Sequence, residues 1–282
     1  MEPLLVARYE EFMRSLISKV KDNNLEHKRS KILWFCWLQG LEQAPSVVKA
    51  CYNSLKRNLP YREVKVIDNE NWKEYVELPE YIVKKWEQGR IPAALFSDLL
   101  RLELLIKYGG TWIDSTVLCT GLNENHNEND NKSRIVELEN KAKQYLDADL
   151  FLFQYTKQGS IPISISNWFI TACSNNEVLM VLRELLYAYW RDYDCTLDYY
   201  IFHLFFSLLS KEYPDTIIDM PYGQSMNSLA LLHHWGEKFD LIKWEKLTSK
   251  VSFHKLAFRV DENVKNNKGN YYNYILMEYG SI

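Results

Sequence analysis

The spacing of apolar residues changes period several times along the chain, and each change predicts an element. Leu5, Tyr9, Phe12, Met13, Leu16, Ile17 and Val20 recur at helical spacing, so residues 1–29 are expected to form a helical N-terminal segment. KILWFCWL, from Lys31 to Leu38, is a short unbroken apolar run closed by Gly40, the mark of a strand buried on both faces. A helix is predicted from Ser46 to Asn58 after Pro45. EVKVID, from Glu63 to Asp68, alternates and runs into DNEN, which predicts a second strand. Trp72 to Gly89 reads as a surface helix broken at Pro79.

The pivotal stretch is Ile91 to Thr120. Proline suits a first helical turn, so a helix begins after Pro92 and runs, apolar almost all round, to Gly109. The double glycine then turns the chain into a strand, TWIDSTV. A period of two places Trp112, Asp114 and Thr116 on one side and Ile113, Ser115 and Val117 on the other. Residues 121–134 are a polar insertion, expected to be an exposed mobile loop. LFLFQYT, from Leu150 to Thr156, predicts another buried strand, and SISNWFITACS leads into a helix from Asn176 to Trp190. DYYIFHLFFSLLS predicts an aromatic helix and MPYGQSMNS a turn-rich loop, before the tail passes VSFHKLAFR to a tyrosine-rich end. Strands alternating with helices, then a mainly helical last third, predict an α/β fold with one large domain over 30–282.

Composition narrows the function. At 47% apolar and 14% aromatic the 282 residues have ample material for a core, and a formal net charge of −3 argues against bulk nucleic-acid binding. The five cysteines are scattered, odd in number and without a C-x-x-C pair, which suits reduced thiols better than a disulfide framework or a zinc site. No secretory leader is read at the N-terminus, and the longest nearly apolar run, Tyr199 to Leu209, falls far short of a membrane span. The expectation is a soluble, cytoplasmic protein.

Asp114 stands out chemically. A carboxylate at the carboxyl end of a buried strand can hold a divalent cation or a ribose hydroxyl, and it can equally be a turn or capping residue. Asp98 and Arg101, three apart on an apolar helix, either satisfy each other as an ion pair or project toward a polar ligand. Of Trp34 and Trp37, which face opposite ways on a strand, one belongs to the core and the other is available to stack on a planar ring. His254 and Lys255 pair a possible metal ligand with a phosphate-binding cation, though such a pair is ordinarily a surface feature. His203, His233 and His234 have no ligand spacing. Neither Gly-x-Gly-x-x-Gly nor a P-loop occurs, which disfavours dinucleotide and ATP readings.

The run AALFSDLLRLELLIKYGGTWIDST resembles the signature of sugar-nucleotide transferases of the GT-A fold, a Rossmann-like sheet flanked by helices. It is most similar to the capsular polysaccharide synthesis group related to glycosyltransferase family 32, with the large glucosylating toxins as more distant relatives. The likeness extends over KILWFCWLQG and APSVVKACYNSL and resumes at ISNWFITA and FHKL. It implies a retaining glycosyltransferase that moves a hexose from a UDP-sugar to a saccharide acceptor in capsule or surface polysaccharide synthesis. Lipid-linked acceptors and peripheral association with the inner face of the cell membrane are within what it implies. Asp98 and Arg101 match an S-D-x-x-R whose members contact the donor sugar. Asp114 matches the first aspartate of a metal-holding D-x-D, and these three are the implied catalytic residues. Trp37 matches a tryptophan that stacks on uracil. Lys255 matches a residue at the diphosphate, and His254 one at the metal with Asp114. Asn167 and Asp198 fall on the acceptor side. Thr116 stands where a second aspartate is usual, so the implied Mn²⁺ or Mg²⁺ has one carboxylate fewer and should bind more weakly without nucleotide. A catalytically silent nucleotide-sugar-binding or interaction module is the alternative.

Overall fold

The structure, a computed structural model, describes residues 2–21, 25–122, 132–155 and 165–280. It is a mixed α/β chain. Its strands are β1 (Ile32–Cys36), β2 (Glu63–Ile67), β3 (Gly110–Asp114), β4 (Val117–Cys119), β5 (Leu150–Gln154), β6 (Ile165–Ala172) and β7 (Phe253–Lys255). Five make one sheet in the order β2-β1-β3-β6-β5, and β4 and β7 pair separately. Helices flank the sheet. The chain divides into two compact units, neither continuous in sequence. One comprises 1–30, 70–112 and 147–223; the other comprises 31–69, 113–146 and 224–282.

In the first unit, the N-terminal helix is Glu2–Lys21, shorter than the sequence suggests, and it packs against helix Glu177–Asp192. The Tyr9 hydroxyl donates to Asp192 at 3.0 Å. Helix Ala93–Tyr108 starts after Pro92 and ends at Gly109, as the glycine pair predicts. Gly109 holds φ +67°, and a Cβ there would lie 2.8 Å from the Lys28 carbonyl oxygen and 3.0 Å from the Ser174 nitrogen. Only glycine both adopts that conformation cheaply and lets the backbones approach this closely. Strands β5 and β6 are antiparallel, Leu150 opposite Ala172, and their Phe151, Phe153, Trp168 and Phe169 form an aromatic core. ISNWFITA, expected to lead into a helix, is strand β6. Seven of its eight residues are buried, so no alternation marks it as a strand. Helix Glu177–Asp192 begins after Asn176, whose side chain caps the Leu179 nitrogen.

In the second unit, β1 and β2 are parallel, with Ile32 opposite Glu63 and Cys36 opposite Ile67. Helix Ser46–Asn58 makes the crossover that parallel pairing requires. The same helix packs on β4 and on helix Tyr271–Tyr279. The expected strand TWIDSTV is two strands: β3 stops at Asp114, Ser115 and Thr116 turn, and β4 leaves to pair antiparallel with β7. The loop expected at MPYGQSMNS is cut short, because helix Ser225–His234 begins within it. Of the polar insertion, 123–131 lie outside the described residues, as does Thr156, and from Lys132 the chain is helical to Leu146. Helices dominate the described residues after 200. No helix among the described residues is long and apolar enough to cross a membrane.

Candidate active site

Two polar clusters carry most of the residues singled out from the sequence, one in each unit. In the second unit, Asp114 ends β3 and Thr116 sits in the turn before β4. Strand β4 is pinned from behind by helix Ser46–Asn58. The Ser54 hydroxyl accepts from the Cys119 nitrogen at 2.9 Å, and the Asn58 amide donates to the Cys119 carbonyl at 3.0 Å. From the other side β7 sets Lys255 opposite Val117, and the Leu256 nitrogen donates to the Thr116 carbonyl at 2.8 Å. Lys255 Nζ therefore reaches both partners, donating to Asp114 Oδ2 at 3.0 Å and to Thr116 Oγ1 at 2.6 Å. The Lys255 and Asp114 side chains keep about a quarter of their surface exposed (23% and 26%), so the ion pair is accessible to a ligand. Although TWIDSTV is not one strand, the turn still brings Asp114 and Thr116 to the same ammonium.

His254, expected as a metal ligand beside Asp114, is turned elsewhere. Neighbouring strand residues face opposite ways. While Lys255 reaches Asp114, the His254 ring is fully buried with Nε2 3.0 Å from Thr120 Oγ1. Its Nδ1 has no hydrogen-bond partner among the described residues. Burial pushes its pKa down to about 3, so it is a neutral core imidazole. No group of three or more His, Cys, Asp and Glu side chains suited to a metal occurs among the described residues. What remains for a hard divalent cation is the Asp114 carboxylate and the Thr116 hydroxyl, oxygen donors of the right type that a cation must share with Lys255.

The two tryptophans separate as a strand requires. Trp34 is fully buried, whereas Trp37, one residue beyond β1, is partly exposed. Trp37 is held by its backbone nitrogen, which donates to the Ile67 carbonyl at 3.0 Å. Its ring meets Phe258 edge to face, with centroids 5.4 Å apart. Phe258 is 44% exposed, and the Arg259 guanidinium lies 5.3 Å from its centroid. Phe258, three residues after Lys255, was not anticipated from the sequence; nothing in AFR distinguishes it from an ordinary surface aromatic.

In the first unit, Asp98 and Arg101 are almost wholly buried on helix Ala93–Tyr108 and form an ion pair at 2.8 Å. Asn167 on β6 completes the group. Its side-chain amide donates to Asp98 Oδ1 at 2.9 Å, and its carbonyl accepts from Arg101 Nη1 at 2.8 Å. Arg101 Nη2 donates to Ser97 Oγ at 3.0 Å, and the guanidinium lies 4.9 Å from the Trp112 ring centroid. The pair's named contacts are made within this group, with Asn167 as its partly exposed outer member. Asp198 spends an oxygen on the Tyr200 nitrogen at 2.7 Å, ahead of helix Ile201–Glu212. His203 on that helix, passed over in the sequence, is buried with Nδ1 unpartnered among the described residues. Burial and the Arg101 charge lower its pKa to about 4, against a smaller opposing effect of Asp198.

Residues 3–275 match the family model described as capsular polysaccharide synthesis protein. No curated protein matches the sequence. Among solved structures, a chain described as PaToxG glycosyltransferase is similar at 12% identity, with 98% of this chain and 96% of that chain covered and a TM-score of 0.38.

Proposed function

Since the chain belongs to the capsular polysaccharide synthesis protein family, we propose that it is a glycosyltransferase of GT-A type that moves a hexose from a UDP-sugar to a saccharide acceptor with retention. The observation that carries this reading is the Asp114–Lys255–Thr116 cluster: a partly exposed ammonium, oriented by a carboxylate and a hydroxyl at the end of a buried strand. Such an ammonium, fixed before substrate arrives, suits diphosphate oxygens and the charge that develops on them as UDP departs. Asp114 and Thr116 would hold a divalent cation, Mn²⁺ or Mg²⁺, which when bound supplies Lewis-acid neutralisation of the diphosphate. His254 has no part in that shell. Trp37 supplies an aromatic surface for uracil.

The Asp98–Arg101 couple fixes Asn167, so Asn167 is the group of that cluster offered to sugar hydroxyls. Asp98 and Arg101 are its positioning residues. Asp198 lies on the acceptor side and keeps its helix-leading role. The reaction needs no protein nucleophile: in front-face transfer the departing phosphate takes the acceptor proton. A lipid-linked saccharide is the acceptor class that fits the family.

Calorimetry with UDP and Mg²⁺ tests the diphosphate assignment. Removing a charge-assisted contact costs about 1.5–3 kcal/mol, so Lys255→Met and Asp114→Asn should each weaken UDP roughly ten- to a hundredfold. Wild-type affinity in both would refute it. The second reading, a nucleotide-sugar-binding module without turnover, draws on the missing carboxylate at Thr116 and on the closed Asp98–Arg101 pair. It is distinguished by UDP binding without consumption of any UDP-sugar.

A further inference from the structure

We propose that the cleft between helix Ser225–His234 and helix Leu241–Thr248, both in the second unit, docks an anionic phospholipid at a bilayer surface. The cleft is a cavity of about 450 Å³ whose lining includes His234, Ile242, Lys243, Lys246, Leu247 and Lys250. Helix Leu241–Thr248 is fastened from beneath. Trp244 is buried and stacks on Tyr271, and the Asp240 side chain caps the Lys243 nitrogen at 2.7 Å. With Trp244 facing inward, Ile242 and Lys246 lie four apart on one helical face, and Lys250, two residues past the helix end, lines the same cleft.

The charges sort themselves. Glu237 is occupied by His234, at 2.7 Å, and by Lys243, and Asp240 by the cap. Glu245 does not line the cleft. Lys246 and Lys250 have no ion-pair partner among the described residues, so two exposed ammonium groups flank the cavity of a chain whose overall formal charge is −3. Beside them, Ile242 is 80% exposed and Leu241 58% exposed. A purely electrostatic partner, such as nucleic acid or an acidic peptide, gives these two side chains nothing to enter. A bilayer does, because neighbouring cations meet phosphate while the apolar pair enters the acyl boundary. The inference is independent of the donor-site reading, since none of these residues belongs to the Asp114–Lys255 cluster.

The test is sedimentation of the full chain with vesicles of phosphatidylglycerol and phosphatidylcholine in equal parts, against phosphatidylcholine alone. Binding is expected only with the anionic vesicles. Each lysine near such a surface contributes about fivefold, so the double variant Lys246→Glu, Lys250→Glu should lower partitioning by roughly twenty-five-fold or more. Ile242→Ser should lower it severalfold at an unchanged melting temperature, and millimolar inorganic phosphate should not compete. Equal binding to both vesicle types, retention of binding in the double variant, an inert Ile242→Ser, or competition by free phosphate would overturn the proposal. So would an oligonucleotide taking the place of the vesicles with the same dependence on Lys246 and Lys250.

Discussion

Lys255 and His254 are adjacent in sequence and opposite in circumstance. Lys255 keeps an exposed edge and two oxygen partners, while His254 is sealed in the core against Thr120. With His203 it makes two histidines whose neutral form is fixed by burial, at pKa values of about 3 and about 4. The consequence for stability has a definite sign. In the unfolded chain each takes up a proton near pH 6.5, which the folded chain refuses until the pH is lower still. Stability contributed by neutral burial is therefore complete above about pH 6.5. It declines as pH falls toward 4, by on the order of 1 kcal/mol per unit for each histidine. Urea midpoints at pH 7.5, 6 and 5 should show that decline, and His203→Asn should remove about half of it between pH 6 and 5. A profile flat over this window, above the range where carboxylates protonate, would contradict the burial assigned to both rings.

At the scale of elements, the glycine pair after helix Ala93–Tyr108 governs how the chain enters β3. Gly109 is held at φ +67° with the Lys28, Ala172 and Ser174 backbones around the position of its absent Cβ. Gly109→Ala combines an unfavourable dihedral with a backbone clash and should cost about 2 kcal/mol or more, read as a lowered urea midpoint. A change within about 0.5 kcal/mol would mean that the turn is not constrained as described. This turn was legible because its signal is local: an apolar run, two glycines, then alternation. Local signals also located β1, β2, β5 and the ends of helix Ala93–Tyr108. The break after Asp114 was not legible. Whether Val117 continues β3 or leaves with β4 depends on pairing with Phe253–Lys255, more than 130 residues away. Strand β6 is not legible because burial on both faces erases alternation, while Ser166, Asn167 and Thr171 interrupt the unbroken apolar run that marks β1 and β5.

At the scale of the whole molecule, family membership covers nearly the entire chain, yet the division into units follows no boundary visible in the sequence. Segments far apart in the chain make up each unit, so nothing local marks where one ends. The same distance dependence holds at the candidate site. Residue type and neighbourhood single out Asp114 and Lys255, and their direct bond follows only from the β4–β7 register. Their spacing on an apolar helix marks Asp98 and Arg101 as a buried pair, but their closure on Asn167 depends on where β6 lies. Phe258 and His203 carried no signal at all until Trp37 and Arg101 were placed beside them.

Release of UDP, without acceptor, from UDP-glucose, UDP-galactose and their N-acetyl forms in the presence of Mg²⁺ or Mn²⁺ decides whether this chain turns over a nucleotide sugar. Slow consumption of at least one donor by the native chain is expected, with a marked reduction in excess EDTA and loss of turnover in a folded Asp114→Asn variant. No consumption of any of these donors, or undiminished turnover after that substitution, would contradict the proposed function.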